Sequence, residues 1–218
     1  MKSGKFLIFI GLLLIAAALC LTGYNIRESD SAGKASDSAL AELEPYISET
    51  HEFDPSQIIH PDDTSGENVP AKPDNLEYPD YVLDPTRPLP VKKIGVNSYV
   101  GIISLPAIGK RFPVFAQWSY SALKSAPCLF SGSPYTDNMV ICAHNYRRHF
   151  GRIGNMSVGD EVTFTDMDGN LFRYEVSEIL TIGASSVSQM TTATSWDLAL
   201  FTCNMSGNAR VTVRCVRK

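Results

Sequence analysis

Three side chains able to do chemistry stand at the ends of apolar runs. Asn138-Met-Val-Ile-Cys-Ala-His144 closes on a histidine and leads into the polar loop Asn145-Tyr-Arg-Arg-His149. Asp197-Leu-Ala-Leu-Phe-Thr-Cys203 closes on a cysteine and is followed by Asn204-Met-Ser-Gly-Asn208. Arg210 opens the last run, Arg210-Val-Thr-Val-Arg-Cys-Val216. A side chain at a strand end rests on a rigid support and faces a loop-lined cleft, which suits a reacting group. The short stretch between Cys203 and Arg210 predicts a hairpin that sets the two side by side. A thiol with a pKa of about 8.5 is a weak nucleophile until it loses its proton, and imidazole is the usual partner that takes it. A guanidinium nearby can stabilise the thiolate and donate hydrogen bonds to the oxyanion formed when a carbonyl is attacked. Cys203, His144 and Arg210 together point to acyl transfer through a thioester.

Their neighbours offer rivals. Arg214 lies at an even spacing along the same run and would share the sheet face of Arg210. His149 is a second candidate base, but it lies in the loop and not at the strand end. Cys142 could share the face of His144, in a packing role. Arg147, Arg148 and Arg152 read as solvated cations that could line the approach of an anionic amine donor. Asp166-Met-Asp168-Gly169 has the look of a calcium loop, yet its glycine is misplaced and position 177 is Ser where Glu is needed, so a turn is expected. His51 and His60 have no companion ligands nearby. No metal or organic cofactor is expected.

The elements that must position these residues are short apolar runs broken by turn residues. Tyr99-Val-Gly-Ile-Ile-Ser-Leu and Arg111-Phe-Pro-Val-Phe are strand-like. Glu161-Val-Thr-Phe-Thr and Leu171-Phe-Arg-Tyr-Glu-Val alternate cleanly on either side of Asp168-Gly169, the strongest hairpin signal in the chain. One helical turn is expected around residues 119–124. Seven or eight strands with little helix predict an all-β domain closed into a small barrel.

The chain of 218 residues has a formal net charge of −4 that hides an asymmetry. Residues 1–24 carry +2, residues 25–91 carry −11 and residues 92–218 carry +5, while nine of the thirteen prolines fall between Pro45 and Pro90. The globular part is therefore the last stretch of about 125–140 residues, a size that supports a single core. A dinucleotide-binding half is excluded by length, and a charge of +5 spread over a domain is no nucleic-acid stripe. Phe6 to Leu21 is apolar and preceded by Lys2 and Lys5, which predicts a membrane anchor over residues 1–24 with its N-terminus cytoplasmic. A cleaved signal is the competing reading. Residues 25–77 read as an acidic, proline-rich, flexible stalk with a short helix near 38–47, its acidity serving solubility. Residues 78–90 read as an extended strap over the edge of a domain spanning 78–218. Of the five cysteines, Cys128, Cys142 and Cys215 read as small buried side chains, with one disulfide among them left open.

The Cys203 run resembles a known family. Ala199-Leu-Phe-Thr-Cys203 is similar to the T-L-x-T-C signature of sortases, the surface-protein transpeptidases of Gram-positive bacteria. Gly101-Ile-Ile-Ser-Leu-Pro106 through Pro113-Val114 is similar to the opening strands of that family. Val140-Ile-Cys-Ala-His144, Phe150-Gly-Arg-Ile153 and Ser157-Val-Gly-Asp160 follow its order, and Arg210-Val-Thr-Val-Arg214 is similar to its final strand. The resemblance spans residues 78–218 and implies an eight-stranded barrel with one or two short helices. It implies Cys203 as nucleophile, His144 as general acid/base and Arg210 as the residue that positions substrate and stabilises the oxyanion. The implied substrates are surface proteins bearing an L-P-x-T-G-like sorting signal, with a cell-wall amine as acceptor. Ala199 departs from the first Thr of the signature, and Ala143 stands where glycine is common. With nothing apolar after Lys218, an N-terminally anchored, class B- or D-like member is expected over a pilus polymerase. Two alternatives remain: another extracytoplasmic Cys/His acyl transferase of the L,D-transpeptidase kind, and a membrane-tethered binding module with a merely buried Cys203.

Overall fold

The computed structural model describes residues 2–47, 49–53 and 79–218. The extended segments expected between Asp54 and Tyr78, with His60, lie outside them. The strands are β1 (Lys92–Ile94), β2 (Asn97–Leu105), β3 (Lys110–Phe115), β4 (Cys128–Ser131), β5 (Met139–Cys142), β6 (Glu161–Asp166), β7 (Leu171–Gly183), β8 (Leu198–Cys203) and β9 (Ala209–Arg217). They pair in the order β1-β2-β3-β4-β5-β8-β9-β7-β6, and β6 returns to β2. The ring β2 to β6 is thus a closed barrel of eight strands, with β1 a short hairpin partner of β2 outside it. Two of its joins are parallel, β3 to β4 and β5 to β8.

Strand alternation sorts the apolar side chains into two clusters. Met139, Ile141, Leu198, Leu200 and Val213 fill the barrel interior with Phe164 and Phe172. Val140, Cys142, Ala199 and Phe201 face outward into a second cluster with Trp196 and Met190. That explains why β5 is buried along its whole length: it has core on both faces, and its run of apolar residues needs no polar alternation. By contrast β6 and the first half of β7 alternate. Their turn is closed by Gly169, at φ +88°, where a side chain would be strained. The buried Asp166 carboxylate accepts from the backbone N–H groups of Asp168 and Asn170, both at 2.9 Å, from the Tyr135 hydroxyl at 2.6 Å and from Asn170 Nδ2 at 2.8 Å. Its oxygens serve the turn.

The N-terminal part differs from expectation. One helix, α1, runs without a break from Lys2 to Leu43, about 63 Å at 1.5 Å per residue. It ends where Pro45 would remove an interior hydrogen bond, and Glu44–Tyr46 form a 3₁₀ turn. Its first part is long and apolar enough to cross a membrane. From Gly4 to Arg27 nearly every residue is exposed, but from Glu28 on a stripe at 28, 29, 32, 33, 36, 39, 40 and 43 is buried or half-buried. That 3–4 spacing is one helix face. So a flexible stalk does not begin at residue 25, nor does a separate helix form near 38–47. The stripe is made of Ser29, Ala32, Gly33, Ser36 and Ala39 before it reaches Leu40 and Leu43, so it carries little hydropathy to read.

The chain then follows the β6–β7 hairpin. The His51 N–H donates to the Gly169 carbonyl and the Leu171 N–H to the His51 carbonyl, each at 2.8 Å. Within the expected strap, Asp80–Leu83 form a helical turn, α2, and not an extended chain. Tyr81 of this turn stacks on Tyr135 at 4.8 Å. All five cysteines are free thiols.

Candidate active site

The site grows out of the parallel pairing of β5 with β8. Val140 lies opposite Ala199 and Cys142 opposite Phe201, so two residues further His144 and Cys203 leave the two strand ends on the same outward row. Three hydrogen bonds lock the ends together. The Ala143 N–H donates to the Phe201 carbonyl at 3.2 Å, the buried Thr202 hydroxyl donates to the Ala143 carbonyl at 2.8 Å, and Asn145 Nδ2 donates to the Asn204 carbonyl at 3.3 Å. On the other side of β8, Cys203 is the direct antiparallel partner of Arg210. The intervening turn is held by Asn204, whose N–H donates to the Ala209 carbonyl at 3.0 Å.

His144, Cys203 and Arg210 line one cleft of about 190 Å³, walled by Trp118, Tyr120, Leu123, Phe130, Val187 and Met190 among others. One wall is the turn Ala122–Lys124 with its aromatic neighbours, Trp118 stacked on Phe130 at 5.6 Å. Another part of the wall is the short helix α3, Val187–Thr191. Of the cysteines in the barrel, Cys203 alone is not buried. Burial pushes the Cys128 thiol up to about 12 and raises those of Cys142 and Cys215 as well. These three stay protonated and unreactive. Arg210 Nη1 donates to the Gly207 and Ala209 carbonyls at 3.2 and 3.1 Å. No carboxylate pairs with it among the described residues, so its charge is open to the cleft.

Burial is the main reason that the His144 imidazole titrates below its ordinary value; Glu28 opposes the shift and Lys124 adds to it. At neutral pH the ring is uncharged and can accept a proton. The rivals are employed elsewhere. His149 is 0% exposed, edge-on to Phe112, and burial lowers it to about 4. Arg214 pairs with Glu178 at 2.9 Å and donates to the Gln189 carbonyl at 2.7 Å, pinning α3 to the sheet. Arg148, expected to be solvated, is held by Asp37 of α1 at 2.7 Å.

Sequence reasoning missed the part of the wall made by α3 and everything that α1 brings. Glu28 lies 3.9 Å from Lys124 and beside the Tyr146 hydroxyl, and the Tyr146 ring packs on His144 at 4.8 Å. The available signal was the small-residue spacing from Ser29 to Leu43.

This is a closed mixed barrel with a thiol, an imidazole and a guanidinium in one outer cleft. The sortase domain model matches residues 103–218, more than half of the chain, and the chain belongs to the sortase family, a family of transpeptidases. No curated protein matches it in sequence. Among solved structures it resembles sortase C1 of the Group B Streptococcus pilus island 1, at TM-score 0.50 and 21% identity over 55% of this chain and 64% of that one. It resembles a Clostridium perfringens sortase D5 transpeptidase equally, at TM-score 0.50 and 21% identity over 55% and 79% of the two chains. Sortase A from Corynebacterium diphtheriae matches at TM-score 0.52 and 21% identity, over 56% and 61%. The chain thus spans less than two thirds of the first of these structures. At such identities the likeness is one of fold.

Proposed function

We propose that this chain is a membrane-anchored sortase that cuts an L-P-x-T-G-like sorting signal and transfers the acyl fragment from Cys203 to an amine. The observation that carries the reading is the strand register that brings Cys203 beside Arg210 and, across the parallel join, level with His144. Neutral His144 takes the thiol proton as Cys203 Sγ attacks the threonine carbonyl carbon. Arg210 donates to the oxyanion that forms. The resulting imidazolium returns the proton to the departing glycine nitrogen as the C–N bond breaks, leaving a thioester. A cell-wall amine then attacks the thioester carbonyl, loses its proton to His144 and releases the Cys203 thiol. The apolar cleft walls exclude water from the intermediate and favour the amine over hydrolysis. The lysines before the apolar part of α1 put that end in the cytoplasm and the barrel outside.

The test incubates the full chain in detergent micelles with a panel of L-P-x-T-G-type peptides and hydroxylamine, followed by mass spectrometry. A thioester adduct on Cys203 and a peptide hydroxamate are expected, both lost in Cys203→Ala. A panel that yields neither product with the wild-type chain refutes the reading.

A further inference from the structure

The anchor helix does not stop at tethering. Its face beginning at Glu28 packs on β3 and on the loop that follows His144. The Arg148 N–H donates to Ser29 Oγ at 3.4 Å, and the Arg148 side chain occupies the space a Cβ on Gly33 would fill, so a larger residue there would push that side chain aside. Ala32 and Ser36 are buried against the barrel, and Leu43 joins the outward-facing cluster. This docking delivers Glu28 to the rim of the cleft. There it meets Lys124, in the turn that forms one wall, at 3.9 Å. It also meets the phenol of Tyr146, whose ring packs on His144 at 4.8 Å. Tyr146 is pushed up to about 12 by burial first, then by the hydrogen bond to Glu28 and its charge, so the phenol stays a donor.

We infer that residues 28–43 of the anchor helix are part of the active site, with Glu28 as a positioning residue that ties the cleft-wall Lys124 to the helix and braces Tyr146, whose ring packs on His144. The inference rests on His144 being the acid/base proposed above. The groups facing or flanking that ring are Glu28 and, next to Tyr146, Tyr24 from α1; Lys124 from the cleft wall; Tyr146 and His149 from its own loop; and Cys203 and Arg210 from β8 and β9. Of these, Glu28 is the carboxylate, and it favours the imidazolium that the leaving amine requires. Lys124 opposes it. The barrel without α1 would keep the three reactive residues but lose the support beneath one of them.

The experiment compares wild type, Glu28→Gln, Glu28→Asp and Lys124→Gln as full chains in micelles. Imidazole NMR follows the His144 titration, assigned with His144→Gln, alongside the pH profile of peptide acylation. Glu28→Gln is expected to move the His144 titration and the acid limb of the acylation rate together to lower pH. It should cut kcat about three- to tenfold with KM little changed. Lys124→Gln should move both to higher pH, and Glu28→Asp should recover part of the loss. An unchanged His144 titration in Glu28→Gln overturns the inference. If no peptide acylates wild type, the transpeptidase reading fails, yet the imidazole titration still decides whether Glu28 governs His144.

Discussion

Replacing Leu43 by alanine asks directly whether α1 is a tether or part of the folded unit. Leu43 is 0% exposed and sits in the outward-facing cluster with Tyr99, Ile102 and Trp196, at the last residue of the helix. The change deletes three carbons. At about 0.8 kcal/mol each the transfer loss is about 2.4 kcal/mol. The cavity left in a packed cluster adds to this loss, which brings the expected cost to about 2.5–4 kcal/mol. Urea titration of the full chain in micelles, followed by tryptophan fluorescence, measures it. Trp196 is a buried reporter in the same cluster, so its signal tracks the region perturbed. The slope should stay constant while the midpoint falls, and the melting temperature should drop by about 5–15 °C. A loss below about 0.5 kcal/mol, the level of an ordinary surface substitution, would refute the reasoning and return residues 28–43 to the status of a stalk.

Other outcomes follow from the same geometry. Buried His149 titrates at about 4 against an ordinary 6.5, so the unfolded chain binds its proton first as pH falls. Its contribution is fully present above pH 6.5 and about 3 kcal/mol is lost on the way to pH 4. The stability–pH slope of His149→Gln should be shallower by that amount over the same window. Arg210→Gln should lower acylation by about 10²- to 10³-fold, while Arg214→Gln should keep kcat within about tenfold and raise KM by loosening α3. The reverse ranking, read by single-turnover mass spectrometry, would exchange their roles. Thr202→Val removes the buried hydrogen bond to the Ala143 carbonyl and should cost about 1–3 kcal/mol, checked by thermal unfolding.

The strands and the candidate residues at their ends were legible because each depends on local pattern. Apolar runs of strand length gave β5 and β8, their ends gave His144 and Cys203, and the short spacing to Arg210 gave the hairpin. The closure of β6 on β2 and the parallel joins are long-range pairings that no local pattern states. The docked half of α1 was hidden for a different reason. A face of Ser, Ala and Gly packs by close approach and not by hydrophobic bulk, so its periodicity carries no hydropathy signal. The pairing of Arg148 with Asp37 could not be read because 111 residues separate them, while the pair itself stays exposed. The turn at Asp80–Leu83 could not be separated from an extended strap, since five residues between prolines hold too little periodicity to choose.

The charge asymmetry of the chain also acquires a structural meaning. Glu28 pairs with Lys124, Asp37 with Arg148 at 2.7 Å, Glu44 with Arg111 at 2.6 Å and Glu52 with Arg173 at 2.9 Å. These four acids therefore pair with cations of the barrel domain, and their charge does more than keep the chain soluble. Exposed pairs of this kind are worth about 0–1 kcal/mol each, so they cannot hold the helix down against what Leu43 alone contributes. Their use is register. A slide of α1 by one turn, about 5.4 Å, would break the pairs made by Glu28, Asp37 and Glu44 and withdraw Glu28 from Tyr146. Raising salt from 0.15 to 1 M shortens the screening length from about 8 to 3 Å, but it leaves the packing of Ala32, Gly33, Ser36 and Leu43 intact. Hydrogen exchange over residues 28–43 should accordingly stay slow at high salt. In Asp37→Lys combined with Glu44→Lys the same segment should exchange faster, and His144 should titrate as it does in Glu28→Gln. Loss of protection in salt alone would show that charge, and not the close-packed face, seats the helix on the barrel.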